Sequence, residues 1–260
     1  LDEQPDDLPE ALRGKAGPVP LGILRSCDGV MCPVESLKAL VESGTGDVRV
    51  FEDGLLELPV MASRDASKPI IHLSGLEPSE PPHPWVGEIE RVLLRNPDAT
   101  LLVEGERALF DSINVGNKRF AADETGTSAM SFLRCSIAIL GGGARGGAQK
   151  FGRPFLRAAS HGMACVAAGS AYEGLVKHGV TGALVGSASS FGEALEILIR
   201  EPIRCVAMAR AARAWVSEHR MLSRMILDQA AWLRDLPFRV ALIDATRNPQ
   251  QCVNGGMHQD

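Results

Sequence analysis

The chain has 260 residues, a net charge of -5, and a composition that is 45% hydrophobic and 23% charged. These are the values of an ordinary globular protein with a sizeable core. The negative charge and the lack of a dense Lys/Arg run argue against a nucleic-acid-binding surface. No apolar run reaches the roughly 18 to 20 residues of a membrane-spanning helix, and no signal-peptide pattern is present. The first residue is Leu1 rather than Met, so we expect a fragment or a processed chain.

The six cysteines form no Cys-x-x-Cys pair, and none lies at a zinc-ligand spacing from a histidine. Cys135 and Cys165 lie in or next to apolar segments. We therefore expect buried, reduced thiols, no metal site and a cytoplasmic location.

The N-terminal third of the sequence predicts a small structural unit followed by a linker. Residues 1–20 are acidic and rich in proline, which favours an extended connector. Residues 28–32 and 48–54 are predicted to contain short strands, and an apolar stripe at helical spacing predicts a helix over residues 33–44. Residues 57–69 are interpreted as the linker.

Strands and helices alternate after the linker. Apolar runs predict strands in residues 70–76 and 100–105, and an amphipathic pattern predicts a helix over residues 85–97. Four prolines in residues 77–84 exclude a helix there. Residues 106–133 are predicted to hold a short helix, a weak strand and a second helix.

Residues 134–185 are the central part of the predicted domain. They predict a strand, a loop with five glycines, a short helix, a second strand, a second helix and a third strand. Such a βαβαβ pattern places its ligand at the loops that follow the strands.

The C-terminal part is predicted to be helical. One helix would begin at Ser189 or Ser190, because Glu193 lies at capping-box distance from Ser190. A further helical run, broken near His219, would end at Pro237.

The fold class predicted from this order is α/β, with a Rossmann-like parallel sheet and helices on both faces. Three parts are predicted: residues 1–66 as the end of an N-terminal domain with its linker, residues 67–236 as a nucleotide-binding domain, and residues 237–260 as a partly disordered tail.

The glycine loop has two interpretations. Gly141, Gly143 and Gly146 match the Gly-x-Gly-x-x-Gly pattern of dinucleotide-binding folds. That pattern expects an acidic residue at the end of the next strand, where this sequence has Ala168 and Gly169. An NAD-dependent Rossmann enzyme is therefore kept as an alternative.

The second interpretation comes from the sequence KFGRPFLRAASHGMACVAAGSAYEGLVKHGVTGALV. Its Phe151-Gly152-x-Pro154 turn, His161-Gly162 helix end and later Gly-x-Thr-Gly strand resemble the nucleotide-sugar motif of family four of the retaining glycosyltransferases. The likeness extends over roughly residues 25–236 as an order of segments. It implies the GT-B fold, with this chain covering the C-terminal domain and the end of the N-terminal domain.

The resemblance implies a hexosyltransferase that takes a nucleotide-diphosphate sugar as substrate, with no other cofactor. It would transfer the sugar, with retention, to a glycan or lipid-linked acceptor in polysaccharide biosynthesis. A lipid-linked acceptor would also be compatible with peripheral association of the protein with a membrane. Catalysis in this fold takes place between two domains, so the chain alone is expected to bind the donor.

The family's paired glutamates fall on Gln149 and Arg157 of this sequence. Gln149 can still bond a sugar hydroxyl, whereas an arginine side chain accepts no hydrogen bond. The loop of residues 74–85 also lacks the basic pair that the family places there. Arg145, Lys150 and Arg153 are the candidates to clamp the diphosphate instead, and solvated loop charges are the other interpretation.

The predicted donor-binding residues lie in or next to loops at the carboxyl ends of the strands. Backbone amides near Phe151 and Gly152 would hold the diphosphate. The set comprises Gly75, Arg145, Gln149, Lys150, Phe151, Gly152, Arg153, Arg157 and Glu173. No catalytic residue is assigned. The departures at Gln149 and Arg157 favour a second hypothesis, a catalytically degenerate sugar-nucleotide-binding or scaffold module.

The remaining candidates are assigned structural roles. His72 is expected to be a hydrogen-bonded core histidine. His161 is expected to have a structural role at the end of a helix, where the dipole favours a cation. Trp215 and Trp232 are expected to pack in the core.

Overall fold

The structure is a computed structural model that describes residues 28–32, 38, 47–74, 76, 83–121, 133–141, 152–168 and 172–236. Predictions for other residues lie outside these ranges. They include the helix of residues 33–44, most of the second helix in residues 106–133, the glycine loop and the C-terminal tail.

Eight strands and six helices lie within the described ranges. The strands are β1 Val30–Cys32, β2 Val48–Val50, β3 Ile70–Ser74, β4 Thr100–Val103, β5 Lys118–Phe120, β6 Ile137–Leu140, β7 Ala164–Ala168 and β8 Ala183–Val185. The helices are α1 Pro84–Arg95, α2 Arg107–Ser112, α3 Arg153–Ser160, α4 Ala188–Arg200, α5 Pro202–His219 and α6 Leu222–Asp235.

Six of the strands form one parallel sheet in the order β5-β4-β3-β6-β7-β8. The chain builds the sheet outward from β3 to β5, returns to the other side of β3 with β6, and then continues to β8. This is the strand order of the doubly wound Rossmann fold, and its direction reverses between β3 and β6. The predicted α/β class with a parallel sheet is confirmed.

Each face of this sheet is covered by a separate apolar layer. Ile71 and Leu73 of β3 pack with α1, α4 and the first half of α5 on one face. Leu102 of β4 and Ala138 of β6 pack with α3 and the second half of α5 on the other. His72 alternates with Ile71 and Leu73 along β3, so it belongs to the α3 face.

The two remaining strands, β1 and β2, pair in parallel and are held to α6 by side chains. The indole Nε1 of Trp232 donates a hydrogen bond of 2.8 Å to Asp47, and the Trp232 ring lies 5.3 Å from the Phe51 ring. Arg220, between α5 and α6, is buried and pairs with Glu52 just after β2. The boundary between residues 66 and 67 stays a prediction.

Two details of the predicted helices are wrong. Residues 172–181 form turns rather than a helix between β7 and β8, because Gly174 and Gly179 adopt φ values of +84° and +76° that a helix cannot contain. Helix α4 is capped by Ser187 and not by the predicted Ser189 or Ser190. The side chain of Ser187 accepts a hydrogen bond of 3.2 Å from the backbone N–H of Ser190.

None of the described helices combines the length and the apolar character needed to cross a lipid bilayer.

Candidate functional site

The site is defined by the point where the strand order reverses, at the carboxyl ends of β3 and β6. Ligands of open α/β sheets bind in the crevice that forms there, because the loops leaving the two strands diverge to opposite faces. The loop after β6 leads to α3, whose first residue is Arg153. The start of α3 therefore lies at the edge where a ligand is expected.

Gly152 fixes the geometry at the start of α3. It is buried and has φ +74°, in the left-handed region that favours glycine. A Cβ atom added at this position would lie 2.6 Å from Cδ1 of Leu175, in the turn after β7. In the part of the chain that the structure describes, no side chain caps α3, and its first turn contains no acidic residue. The positive end of the α3 dipole is thus not neutralised within its first turn, and it favours the binding of an anion.

Arg153, a predicted diphosphate ligand, is engaged by a carboxylate from the N-terminal part of the chain. Its Nε and Nη2 donate to the two carboxylate oxygens of Asp53 at 3.0 and 3.2 Å. These hydrogen bonds raise the pKa of the Arg153 guanidinium, which stays charged. The Arg153 side chain is 75% exposed, whereas that of Asp53 is 21% exposed. The guanidinium is therefore open to solvent at the rim of the crevice.

Arg157, one helical turn further along α3, also meets a carboxylate. Its Nη1 donates to both oxygens of Glu104, at 3.1 and 3.3 Å, and Glu104 directly follows β4. The Nε2 atom of His72 lies 2.8 Å from Oε2 of the same carboxylate. His72 is 1% exposed, so the prediction of a hydrogen-bonded core histidine is confirmed.

The environment of Glu104 keeps its carboxyl group ionised. The hydrogen bond from His72, together with the positive charge of Arg157, lowers the pKa of Glu104 to about 2, against the opposing effect of burial. The side chain remains 31% exposed. At the carboxyl end of β4 the structure thus presents a fixed negative charge that the solvent can reach.

The other end of α3 is capped by the side chains of two arginines and of His161. Arg64 from the linker donates to the carbonyl oxygens of His161 and Gly162, and Arg213 of α5 donates to that of Ser160. Burial lowers the pKa of His161, and the neighbouring arginine charges act in the same direction. The side chain of His161 caps the same end, because its Nδ1 lies 2.9 Å from the carbonyl oxygen of Arg157, so the predicted structural role at the helix end is confirmed.

Glu173 lies in the turn after β7, two residues before Leu175, and is exposed. The contact of Leu175 with the Gly152 position places this turn beside the start of α3. Glu173 therefore lies in a turn near the predicted site, and not in the helix that was predicted between β7 and β8. The remaining predicted ligands lie outside the described residues: Gly75, Arg145, Gln149, Lys150 and Phe151.

The sequence analysis missed Asp53 and Glu104. Neither residue lies near a predicted site residue in the sequence. The fold alone brings them to α3. Glu104 could have been found as an acidic residue at the carboxyl end of a predicted strand. No comparable signal marks Asp53. Within the described ranges, no group of three or more His, Cys, Asp or Glu side chains could hold a metal ion.

Comparison with known proteins gives a fold and no close relative. Neither a family model nor a curated protein matches the sequence. Among solved structures, the chain is similar to Anabaena HepE, solved with UDP and glucose, with a TM-score of 0.66 and 18% identity over 83% of this chain. It is also similar to sucrose-phosphate synthase from Thermosynechococcus elongatus, with a TM-score of 0.63 and 16% identity over 83% of this chain.

A third similar structure is the pneumococcal O-GlcNAc transferase GtfA, solved with UDP and GlcNAc, with a TM-score of 0.62 and 13% identity over 80% of this chain. The chain spans 67% of the HepE chain, 60% of the sucrose-phosphate synthase chain and 45% of the GtfA chain. Membership of family four stays a prediction. At these identities the similarity establishes the architecture, and the described part of this chain has the Rossmann-like domain of the GT-B fold.

Proposed function

We propose that this chain is the donor-binding part of a glycosyltransferase. In the whole protein it would bind a nucleotide-diphosphate sugar and transfer the sugar, with retention, to a glycan or lipid-linked acceptor. The observation that carries this proposal is the start of α3, which has no side-chain cap among the described residues and lies at the carboxyl end of the sheet where the strand order reverses. Proteins of the same fold have been solved with UDP bound, which supports a nucleotide as the ligand.

The diphosphate is the part of the donor that this site suits best. Backbone N–H groups in the first turn of α3 and the positive end of its dipole favour a compact anion. The guanidinium of Arg153 adds a charged donor that is 75% exposed at the same turn. A planar guanidinium can bond two phosphate oxygens at once, so Arg153 would orient the diphosphate as well as attract it.

The same groups suit the chemistry of sugar transfer. When the bond between the sugar and the diphosphate breaks, negative charge accumulates on the leaving diphosphate. Donors that are already fixed around that charge lower the barrier, because they need no reorganisation during the reaction. The acceptor would be bound by a second domain, since catalysis requires both sides of the cleft.

A binding module without transferase activity is the second candidate. Two observations favour it: Arg157 takes the place of the expected second carboxylate and is paired with Glu104, and Arg153 is paired with Asp53. In this alternative the nucleotide sugar would bind without being turned over.

A thermal-unfolding panel with UDP, UDP-glucose, a GDP-sugar and NAD tests the proposal. Sugar nucleotides and UDP are expected to raise the melting temperature, because a ligand that binds only the folded state stabilises it. Arg153→Ala should lose this response, whereas Arg210→Ala, at an exposed position of α5, should keep it. Stabilisation by NAD alone would favour the dinucleotide alternative. Sugar release or transfer by the full-length protein then separates the enzyme from the binding module.

A further inference from the structure

The cluster of His72, Glu104 and Arg157 has no role in the proposed diphosphate site. It lies on the α3 face of the sheet: β3 supplies His72, the residue after β4 is Glu104, and α3 supplies Arg157. In the register of the sheet His72 is paired with Leu102, so Glu104 lies just beyond the end of β4 on the same face. The carboxylate thus stands at the carboxyl edge of the strand next to β3, beside the crevice.

The position of Glu104 in the topology is informative. β3 and β4 are the first and second strands of the Rossmann-like order, and Glu104 directly follows the second. In dinucleotide-binding folds of this topology, an acidic residue after the second strand accepts hydrogen bonds from a ribose hydroxyl. Glu104 has this position relative to the crossover from β3 to β4.

The contacts of Glu104 leave it able to bind a ligand. Oε2 accepts from His72 at 2.8 Å and from Arg157 at 3.3 Å, whereas Oε1 accepts only from Arg157 among the described residues, at 3.1 Å. A carboxylate offers about four lone-pair positions, so acceptor capacity remains. The side chain is 31% exposed, and its two partners hold it in one orientation before a ligand arrives.

We propose that Glu104 is a ligand-binding residue that accepts hydrogen bonds from a vicinal diol, the ribose or the hexose of the nucleotide sugar, with His72 and Arg157 as its positioning residues. This rests on the proposed function, because the diol arrives with the nucleotide. Hydroxyl donors suit an ionised carboxylate, which only accepts hydrogen bonds. The competing interpretation is that Glu104 only fastens α3 to the sheet.

Calorimetric affinities for UDP, 2′,3′-dideoxy-UDP and UDP-glucose separate these interpretations. Glu104→Gln keeps the shape of the side chain and removes its charge. Loss of a charge-assisted hydrogen bond should weaken binding of a diol-bearing ligand about tenfold or more. If the ribose is recognised, Glu104→Gln weakens the binding of UDP but leaves that of dideoxy-UDP unchanged. If the hexose is recognised, Glu104→Gln weakens the binding of UDP-glucose more than that of UDP. Glu106→Gln, at an exposed position two residues on, should leave all three affinities unchanged.

Two results would overturn the assignment of Glu104. One is an equal change for all three ligands in Glu104→Gln, which would indicate a purely structural role. The other needs no variant. It is that wild-type protein binds UDP and dideoxy-UDP with equal affinity and binds UDP-glucose no more tightly than UDP. Wild-type protein that binds none of the three would contradict the proposed function as well, so the two failures are distinguishable.

Discussion

Arg153 and Asp53 are 100 residues apart in the sequence, yet two nitrogens of the guanidinium bond both oxygens of the carboxylate. The pair joins the segment after β2 to the first turn of α3. An ion pair this open to solvent is screened and contributes little to stability. The diphosphate of a nucleotide carries more charge than one carboxylate, so it should displace Asp53 from Arg153.

Removing the charge of Asp53 is therefore expected to strengthen nucleotide binding. Asp53→Asn should bind UDP up to about fivefold more tightly than wild type. Calorimetric titration measures the change. Asp98→Asn, at an exposed turn before β4, is the control and should bind as wild type does. Weaker binding in Asp53→Asn would indicate that Asp53 positions Arg153 for the ligand.

The ion pair of Glu104 predicts how the fold responds to acid. The pKa of this carboxyl is about 2 in the folded chain, against an ordinary value of 4.5. Because folding lowers the pKa, the stabilisation is fully present above about pH 4.5 and is lost as the pH falls toward 2. The free energy of unfolding in urea, followed from about pH 6 to pH 3, should therefore fall less steeply in Glu104→Gln than in wild type.

The same experiment with Glu106→Gln provides the control. That side chain makes no capping hydrogen bond to α2, so its variant should reproduce the wild-type pH dependence. Parallel curves for wild type and Glu104→Gln would show that the contacts of Glu104 with His72 and Arg157 do not stabilise the folded state.

Gly152 is predicted to be required for both stability and binding. Gly152→Ala would place a side chain at φ +74° and within 2.6 Å of Leu175. The left-handed conformation alone costs about 1 to 2 kcal/mol for a residue with a Cβ atom. We expect a lower free energy of unfolding and weaker UDP binding, because α3 would start in a different place.

Gly87→Ala is the matched control for that substitution. Gly87 lies inside α1, and a Cβ atom there would have no neighbour within 4 Å. Alanine should therefore stabilise this helix by up to about 1 kcal/mol. An unchanged free energy of unfolding and UDP affinity in Gly152→Ala would refute the importance of the left-handed turn.

The arginines at the C-terminal end of α3 should contribute strongly to stability. Arg64 also donates to the carbonyl oxygen of Leu133 at 3.3 Å, and Arg213 donates to that of Pro59 at 2.8 Å. Together they fasten the linker to the helix. Removing either one leaves carbonyl groups without a charged donor, so Arg64→Ala and Arg213→Ala should each lower the free energy of unfolding by about 2 kcal/mol. Arg210→Ala, exposed on the same helix as Arg213, should change it by less than about 0.5 kcal/mol.

Most of the sheet could be predicted from the sequence because its strands are buried on both faces. A continuous apolar run such as residues 137–140 leaves little choice of element. Helix limits were harder to predict. Ser187, Ser189 and Ser190 are equally good caps by residue type, and the choice of Ser187 depends on which side chain reaches the free N–H groups.

The site was only partly predictable, because its charges are paired across the fold. Arg153 and Arg157 were recognised from a local motif, but their partners come from 100 and 53 residues away. Which acid meets which arginine depends on the strand order and register, and no local pattern encodes these. The segment after β7 was predicted to be a helix, which the left-handed conformations of Gly174 and Gly179 exclude.

The structure of the chain with UDP bound tests the central claim most directly. We predict the diphosphate at the first turn of α3, within about 3 Å of the backbone N–H groups there and of the Arg153 guanidinium, with Asp53 displaced. A diphosphate bound elsewhere on the sheet, with the pair between Arg153 and Asp53 intact, would contradict the account.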